Sequence, residues 1–302
     1  MKQVKVFYNE KSGKNDEEKV LSTIKNFFDK EENKDFHVEY VNPDTPEDAV
    51  RLAKKASQED TDFVVALGGD GTINKICAGV FEGGGESILG ILPNGTVNNL
   101  SKSLHIPQNI EAALQNLIDG ERQKFDIAKV NENYMISSLT LGILADIAQN
   151  VRSSDKKKFG PLAYLKDAYK VIRHNKSYYI NLKYKGETKA LKTKLLLITM
   201  TNTIGGRQAL SPDAKVDDGL IRVYSLKEIN LLKILFHLNK LRKGQIEDFM
   251  EITYFDTDHL EISAQANKKH DIPYSRIDGD KSSPLPLDIT VYRKGLTTVV
   301  PK

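Results

Sequence analysis

The sequence predicts a two-domain α/β protein, a doubly wound and mostly parallel amino-terminal domain followed by an antiparallel β domain. Three observations predict it. Short apolar runs alternate with segments of helical periodicity up to about residue 118; the glycine-rich turn Leu67-Gly68-Gly69-Asp70-Gly71-Thr72-Ile73-Asn74 joins one such run to the next helix; and near residue 126 the apolar spacing changes from a period of 3.6 to a period of 2.

The elements follow in order. Val4 to Tyr8 is a first strand, and Val20, Leu21, Ile24, Phe27 and Phe28 give a helix between Glu17 and Glu31. Phe36 to Val41 is a second strand. A helix from Pro46 to Ala56 starts with proline in its first turn after Thr45, and Asp62 to Leu67 is a third strand. The amphipathic run from Ile73 to Phe81, the strand Ile88 to Leu92 and a helix from Asn109 to Ile118 complete the alternating pattern, which places ligands at the carboxyl ends of the strands. Phe125 to Val130 and Tyr134 to Leu141, separated by Asn131-Glu132-Asn133, then read as a hairpin. A helix at Lys158–Arg173 and strands at Tyr178–Tyr184, Leu191–Met200, Gly219–Ser225, His259–Ser263 and Leu287–Tyr292 follow.

Composition is that of an ordinary folded enzyme: 302 residues, 39% hydrophobic and 28% charged, enough chain for two cores. A net charge of +3 gives no reason to expect nucleic acid as a partner. The single cysteine, Cys77, excludes an intramolecular disulfide and is expected to pack in the core. No apolar run approaches the ~20 residues that span a bilayer, and the amino terminus lacks a signal-like apolar stretch.

The chemistry starts at the turn from Gly68 to Asn74. Glycines let the backbone approach a ligand closely, and the free N–H groups of the first helical turn favour an anion, so the turn is suited to phosphate. Asp70 beside a phosphate is repulsive unless a divalent cation lies between them, which suggests Mg²⁺. A second turn, Pro93-Asn94-Gly95-Thr96-Val97-Asn98-Asn99, follows the Ile88 strand and converges on the same crevice. Asp278-Gly279-Asp280 and Asp218-Gly219 are plain turn signals by themselves.

Together these blocks resemble the diacylglycerol kinase catalytic domain family, bacterial lipid kinases related to sphingosine kinases and, more distantly, to NAD kinases and phosphofructokinases. Asn9-Glu10-Lys11-Ser12-Gly13-Lys14 is similar to the family's Asn-Pro-x-Ser-Gly-Lys, Gly68 to Asn74 to its Gly-Gly-Asp-Gly-Thr-x-Asn, and Pro93 to Pro107 to its second nucleotide loop. Phe125-Asp126, Gly205-Gly206 with Ser211 to Leu220, and Ile277 to Asp280 match further blocks, so the likeness covers nearly the whole chain.

The resemblance implies an NAD kinase/diacylglycerol kinase-like nucleotide domain over 1–127, with the chain from about 289 returning to it. A carboxy-terminal antiparallel β-sandwich over 128–288 would hold the lipid and the metal loop. It implies ATP bound by Asn9, Ser12, Gly13, Lys14, Gly68, Gly69, Asp70, Gly71, Thr72, Asn74, Gly95, Thr96 and Asn98. Catalytic Mg²⁺ would be organised by Asp70 and Asp126. A structural Mg²⁺ would sit on the Lys215 and Leu220 carbonyls and the Asp218 carboxylate, and Asp278 or Asp280 would activate a lipid hydroxyl.

Four departures fall near the chemistry: Glu10 for proline, Lys75 for an acid, Asn99 for an aspartate and Asp280 for a glutamate. An NAD-kinase-like soluble-substrate kinase shares the first loop, but the second-domain blocks argue against it; a nucleotide-binding regulator weakened at Asn99 and Asp280 is the other alternative. The implied setting is cytoplasmic, with peripheral contact at the inner face of the membrane, and a homodimer is compatible with it. The basic helix Leu231 to Leu241 is expected to pack on the core with a solvated basic face, while Lys156-Lys157-Lys158 before Phe159 fits a membrane contact. His270 and the other histidines have no metal-ligand spacing.

Overall fold

The computed structural model describes residues 1–9, 17–59, 61–142, 177–204, 207–208, 213–227, 252–265 and 274–302. The helices expected at 158–173 and 231–241, the lysine run at 156–158, and Ser12, Gly13, Lys14, Gly205, Gly206, Ser211, Pro212 and His270 lie outside these residues.

Four parallel strands open the chain: β1 (Lys2–Phe7), β2 (Phe36–Val41), β3 (Phe63–Gly68) and β4 (Ile88–Pro93), in sheet order β2-β1-β3-β4. The helices between them are α1 (Glu17–Phe28), α2 (Pro46–Gln58) and α3 (Asp70–Glu82). Phe63 to Leu67 and all of β4 are buried, as strands covered on both faces must be. Right-handed crossovers put α1 on one face and α2 with α3 on the other, because the chain moves one way from β1 to β2 and the opposite way thereafter. The α2–α3 contact is made by small residues: a Cβ on Gly79 would lie 2.4 Å from the Val50 carbonyl oxygen and 2.6 Å from Ala53 Cβ. Thr45 caps α2 by accepting the Asp48 N–H at 3.1 Å. The short α4 (Asn99–Ser103) follows β4, and α5 (Ile110–Asp119), capped by Asn109, packs against α1.

The second half is built from β5 (Glu121–Val130), β6 (Asn133–Met135), β7 (Ser138–Gly142), β8 (Tyr178–Tyr184), β9 (Glu187–Thr193), β10 (Leu195–Thr199), β11 (Thr203–Ile204), β12 (Arg207–Gln208), β13 (Ile221–Leu226), β14 (Ile252–Thr257), β15 (His259–Ala264), β16 (Tyr274–Ile277), β17 (Asp280–Pro284) and β18 (Leu287–Val300). One antiparallel sheet has the order β14-β13-β10-β7-β16-β17. The first sheet runs on from β4 through β18, β15 and β8 to β9, with β5 also paired to β18. Leu139, Leu141, Leu196, Ile198 and Val223 from the six-stranded sheet share one core with Ile180, Leu182, Leu260, Ile262 and Ile289 from the other, which makes this half a sandwich.

Strand β18 belongs to both halves. Leu287 and Ile289 lie in the sandwich core, whereas Leu296, Val299 and Val300 lie in the core under the parallel strands. Its pairing with β5 shifts register between Tyr292 and Leu296, where Lys294 takes a positive φ of 54°.

Three of the expected strands differ most from those observed. Leu191–Met200 is two strands, because the chain leaves one sheet after Thr193 and joins the other at Leu195, which apolar spacing does not register. Tyr134–Leu141 is also two, since the backbone N–H groups of Ile136 and Ser137 donate to Asp278 instead of a strand neighbour. The last strand runs eight residues past Tyr292, to Val300.

Candidate active site

The two glycine turns sit at the carboxyl ends of β3 and β4 and touch backbone to backbone. A Cβ on Gly95 would lie 2.5 Å from Gly69 Cα, and the Asn94 N–H donates to the Gly68 carbonyl at 2.9 Å. A side chain at 95 does not fit that contact, and a Cβ on Gly69 would lie a tight 3.2 Å from Gly95 Cα. Asn98, held at φ 56°, accepts the Gly95 N–H and donates to the Gly95 carbonyl, both at 3.1 Å. Its amide thus closes the second turn on itself, leaving Thr96 exposed at the tip.

Asp70 is the first residue of α3 and turns its carboxylate toward the start of α4. The Leu100 N–H donates to it at 3.5 Å. Burial pushes its carboxyl above the usual range, opposed by the N–H groups of Asn99, Leu100 and Asn98 and by Lys102. A half-buried carboxylate beside a glycine turn fits a hard divalent cation or its bound water.

A cleft of about 480 Å³ opens over this turn, bounded by Asn9 at the end of β1, by Asp44 and Thr45 before α2, and by Gly69, Gly71 and Thr72. Lys75, one turn beyond Gly71 on α3, and Asp280 from the start of β17 complete its wall. Asp280 packs directly on the glycine turn: a Cβ on Gly71 would lie 2.8 Å from Asp280 Oδ2. The volume suits a small ligand.

Asp278 has a different environment. Its buried carboxylate accepts four hydrogen bonds: Oδ1 from the Ser137 and Ser138 N–H groups at 2.9 and 2.8 Å, Oδ2 from Asn74 Nδ2 and the Ile136 N–H at 2.8 and 2.9 Å. All four lone-pair positions are taken. Burial pushes its pKa up to about 6, against the pull of those donors. Asn74, expected at the nucleotide, is itself buried and bridges Asp278 to the Tyr134 carbonyl. The pair ties α3 to the turn that presents Asp280.

Asp126 and the loop 215–220 form a separate cluster. Asp126 Oδ2 accepts the Gly219 N–H at 2.6 Å, Oδ1 accepts the Lys294 N–H at 2.7 Å, and its own N–H donates to the Val216 carbonyl at 2.8 Å. Burial, with Asp218 and Asp217 nearby, pushes its carboxyl up against those two donors. Within the loop, Asp218 accepts the Lys215 and Leu220 N–H groups at 3.1 and 3.0 Å and is clasped by both terminal nitrogens of Arg222. Arg222 Nη1 also donates to the Leu220 carbonyl at 3.1 Å. These oxygens do not fit a divalent cation as they stand, because a buried guanidinium already occupies two of the three groups the family resemblance assigns to one.

The sequence-selected residues therefore divide. Asn9, Gly69, Gly71, Thr72 and Asp280 line the cleft, with Asp70 and Gly95 beside it; Asn74 and Asp278 brace it; Asp126, Lys215, Asp218 and Leu220 lie at the joint with β18. Lys75 stood out only as a departure, although its i+4 spacing from Gly71 puts it on the cleft side of α3. Arg222 carried no signal beyond alternation in a strand.

The site is thus a glycine turn at the ends of parallel strands, with Lys75 one helical turn on and the Asp280 carboxylate packed against it in a small cleft. A model of the diacylglycerol kinase catalytic domain matches residues 3–130, and one of the YegS C-terminal NAD kinase beta sandwich-like domain matches residues 137–300. The chain belongs to the diacylglycerol kinase catalytic domain family, with the YegS-type β-sandwich domain as its second half. A diacylglycerol kinase of Staphylococcus haemolyticus is 27% identical over 298 residues, covering 99% of this chain and 88% of the relative; one of Staphylococcus saprophyticus is 28% identical over 285 residues, covering 94% and 91%. The crystal structure of a diacylglycerol kinase from Bacillus anthracis has the same fold, with a TM-score of 0.72 at 19% identity, covering 99% of this chain and 96% of that one.

Proposed function

We propose that the protein transfers the γ-phosphoryl group of ATP, with Mg²⁺, to the hydroxyl of diacylglycerol or a related neutral lipid at a membrane surface. In this reading residues 1–127 with 289–302 hold the nucleotide, and 128–288 carry the lipid side of the cleft. The observation that carries it is the packing of Asp280 against Gly71, which sets a carboxylate at the edge of the phosphate turn. The N–H groups of Gly71 and Thr72 bind phosphate oxygens, and Lys75 offsets their charge. Mg²⁺ held through Asp70 supplies charge neutralisation when bound.

An alcohol is a weak nucleophile at neutral pH, so the acceptor proton needs a base within hydrogen-bond reach. Asp280 takes that proton as the hydroxyl oxygen bonds to phosphorus and ADP leaves. Asp278, with its lone pairs engaged, holds the turn in place as a positioning residue. Asp280→Asn should lower kcat by ~10²–10⁴-fold in a mixed-micelle assay with dioleoylglycerol, while the melting temperature stays at the wild-type value. Asp278→Asn should lower the melting temperature itself. An Asp280→Asn enzyme with wild-type kcat would remove Asp280 from the chemistry.

A further inference from the structure

We infer that Arg222 is the resident cation of the loop 215–220, and that the joint between the two halves is held by its guanidinium with no divalent ion. The loop plugs into the register shift of β18: Val216 receives the Asp126 N–H, Gly219 donates to Asp126, and Arg293 Nε donates to the Asp217 carbonyl at 3.1 Å. Asp217, Asp218 and Asp126 thus bring three carboxylates to one corner, and such a corner needs positive charge. Lys294 Nζ lies 3.4 Å from Asp217, and the Arg222 fork spans both oxygens of Asp218.

The Arg222 side chain is only 7% exposed, so its charge is neutralised by the loop rather than by water. The Asp218 carboxylate receives two backbone N–H groups and both guanidinium nitrogens, which fills its acceptor capacity. Nη1 also takes the Leu220 carbonyl. A planar fork that reaches a carboxylate and a carbonyl together uses the same oxygens that a small hard cation would need, and two cations cannot share them. Position 222 is in β13, with its backbone fixed opposite Thr199 and Asp256 by pairing with β10 and β14, so the fork is delivered from a rigid strand.

The inference concerns stability and does not rest on the lipid reading. Its test is thermal melting of the full chain in EDTA and in millimolar Mg²⁺ or Mn²⁺, without nucleotide. Because Asp70 offers a separate place for Mg²⁺, the comparison is made in the wild type and in Asp70→Asn. The expected result is that Asp70→Asn melts at one temperature in all three buffers. Arg222→Gln should melt several degrees lower than the wild type in EDTA, and Arg222→Lys, which keeps the charge but loses the fork, should fall between them. If Arg222→Gln cannot be produced folded, the lysine variant carries the comparison. A melting temperature of Asp70→Asn that drops in EDTA and returns with Mg²⁺, or Arg222 variants that melt like the wild type, would overturn the assignment.

Discussion

Asp278 and Asp280 are two residues apart and chemically alike, yet their surroundings separate them. Asp278 sits at a positive φ of 49°, buried, with every lone pair engaged; Asp280 is exposed to the cleft. The burial of Asp278 has a consequence for pH. Its folded pKa, about 6, is above its ordinary value of 3.8, so the native protein binds this proton more tightly than the unfolded chain. Its contribution to stability is complete below about pH 4 and is lost as pH rises through 6, a change on the order of 3 kcal/mol. Other carboxylates titrate in the same window, so the stability of the wild type minus that of Asp278→Asn isolates the effect. That difference should fall between pH 4 and 6 and be flat above 7; a flat difference throughout would mean that the four donors, not burial, control the group. The paired motif Asp-x-Asp was legible in the sequence, but the division of labour was not, because it depends on Ile136, Ser137 and Ser138, which lie about 140 positions away.

At the scale of elements, small residues set the site. The first glycine turn works because α3 can start close under β17 and because the second turn can rest on it. The position of α3 in turn depends on α2, which contacts it through Gly79. Gly79→Ala should gain ~1 kcal/mol in helix propensity yet lose ~1–3 kcal/mol through the clash with Val50 and Ala53. Urea denaturation should therefore show net destabilisation; a more stable variant would mean that the helices separate at little cost. The parallel strands and their helices were legible because burial on both faces leaves continuous apolar runs, as in Phe63 to Leu67. The edges of the sandwich were less so. β9 carries Glu187, Lys189 and Lys192 on a mostly exposed ribbon and so shows no apolar signature of its own, whereas β14, Ile252–Thr257, has one only four residues long, from Ile252 to Phe255.

For the whole molecule, β18 is the element that joins the cores. Removing residues 293–302 would take Leu296, Val299 and Val300 from one core and the Lys294 N–H from Asp126, and the loop 215–220 would lose its seat. The intact chain should melt in one transition seen alike by far-ultraviolet circular dichroism and tyrosine fluorescence, and the truncated chain should fail to fold. Two resolved transitions in the intact chain would show that the halves are not coupled through the strand. The central claim, that this cleft serves a lipid acceptor, is tested most directly by following label from γ-labelled ATP, with Mg²⁺ and a membrane-lipid extract, into the organic phase. The wild type should transfer label to a neutral lipid, and Asp280→Asn should reduce the transfer by at least ~100-fold. Label that stays in the aqueous phase for every extract, while the protein still binds ATP, would contradict it.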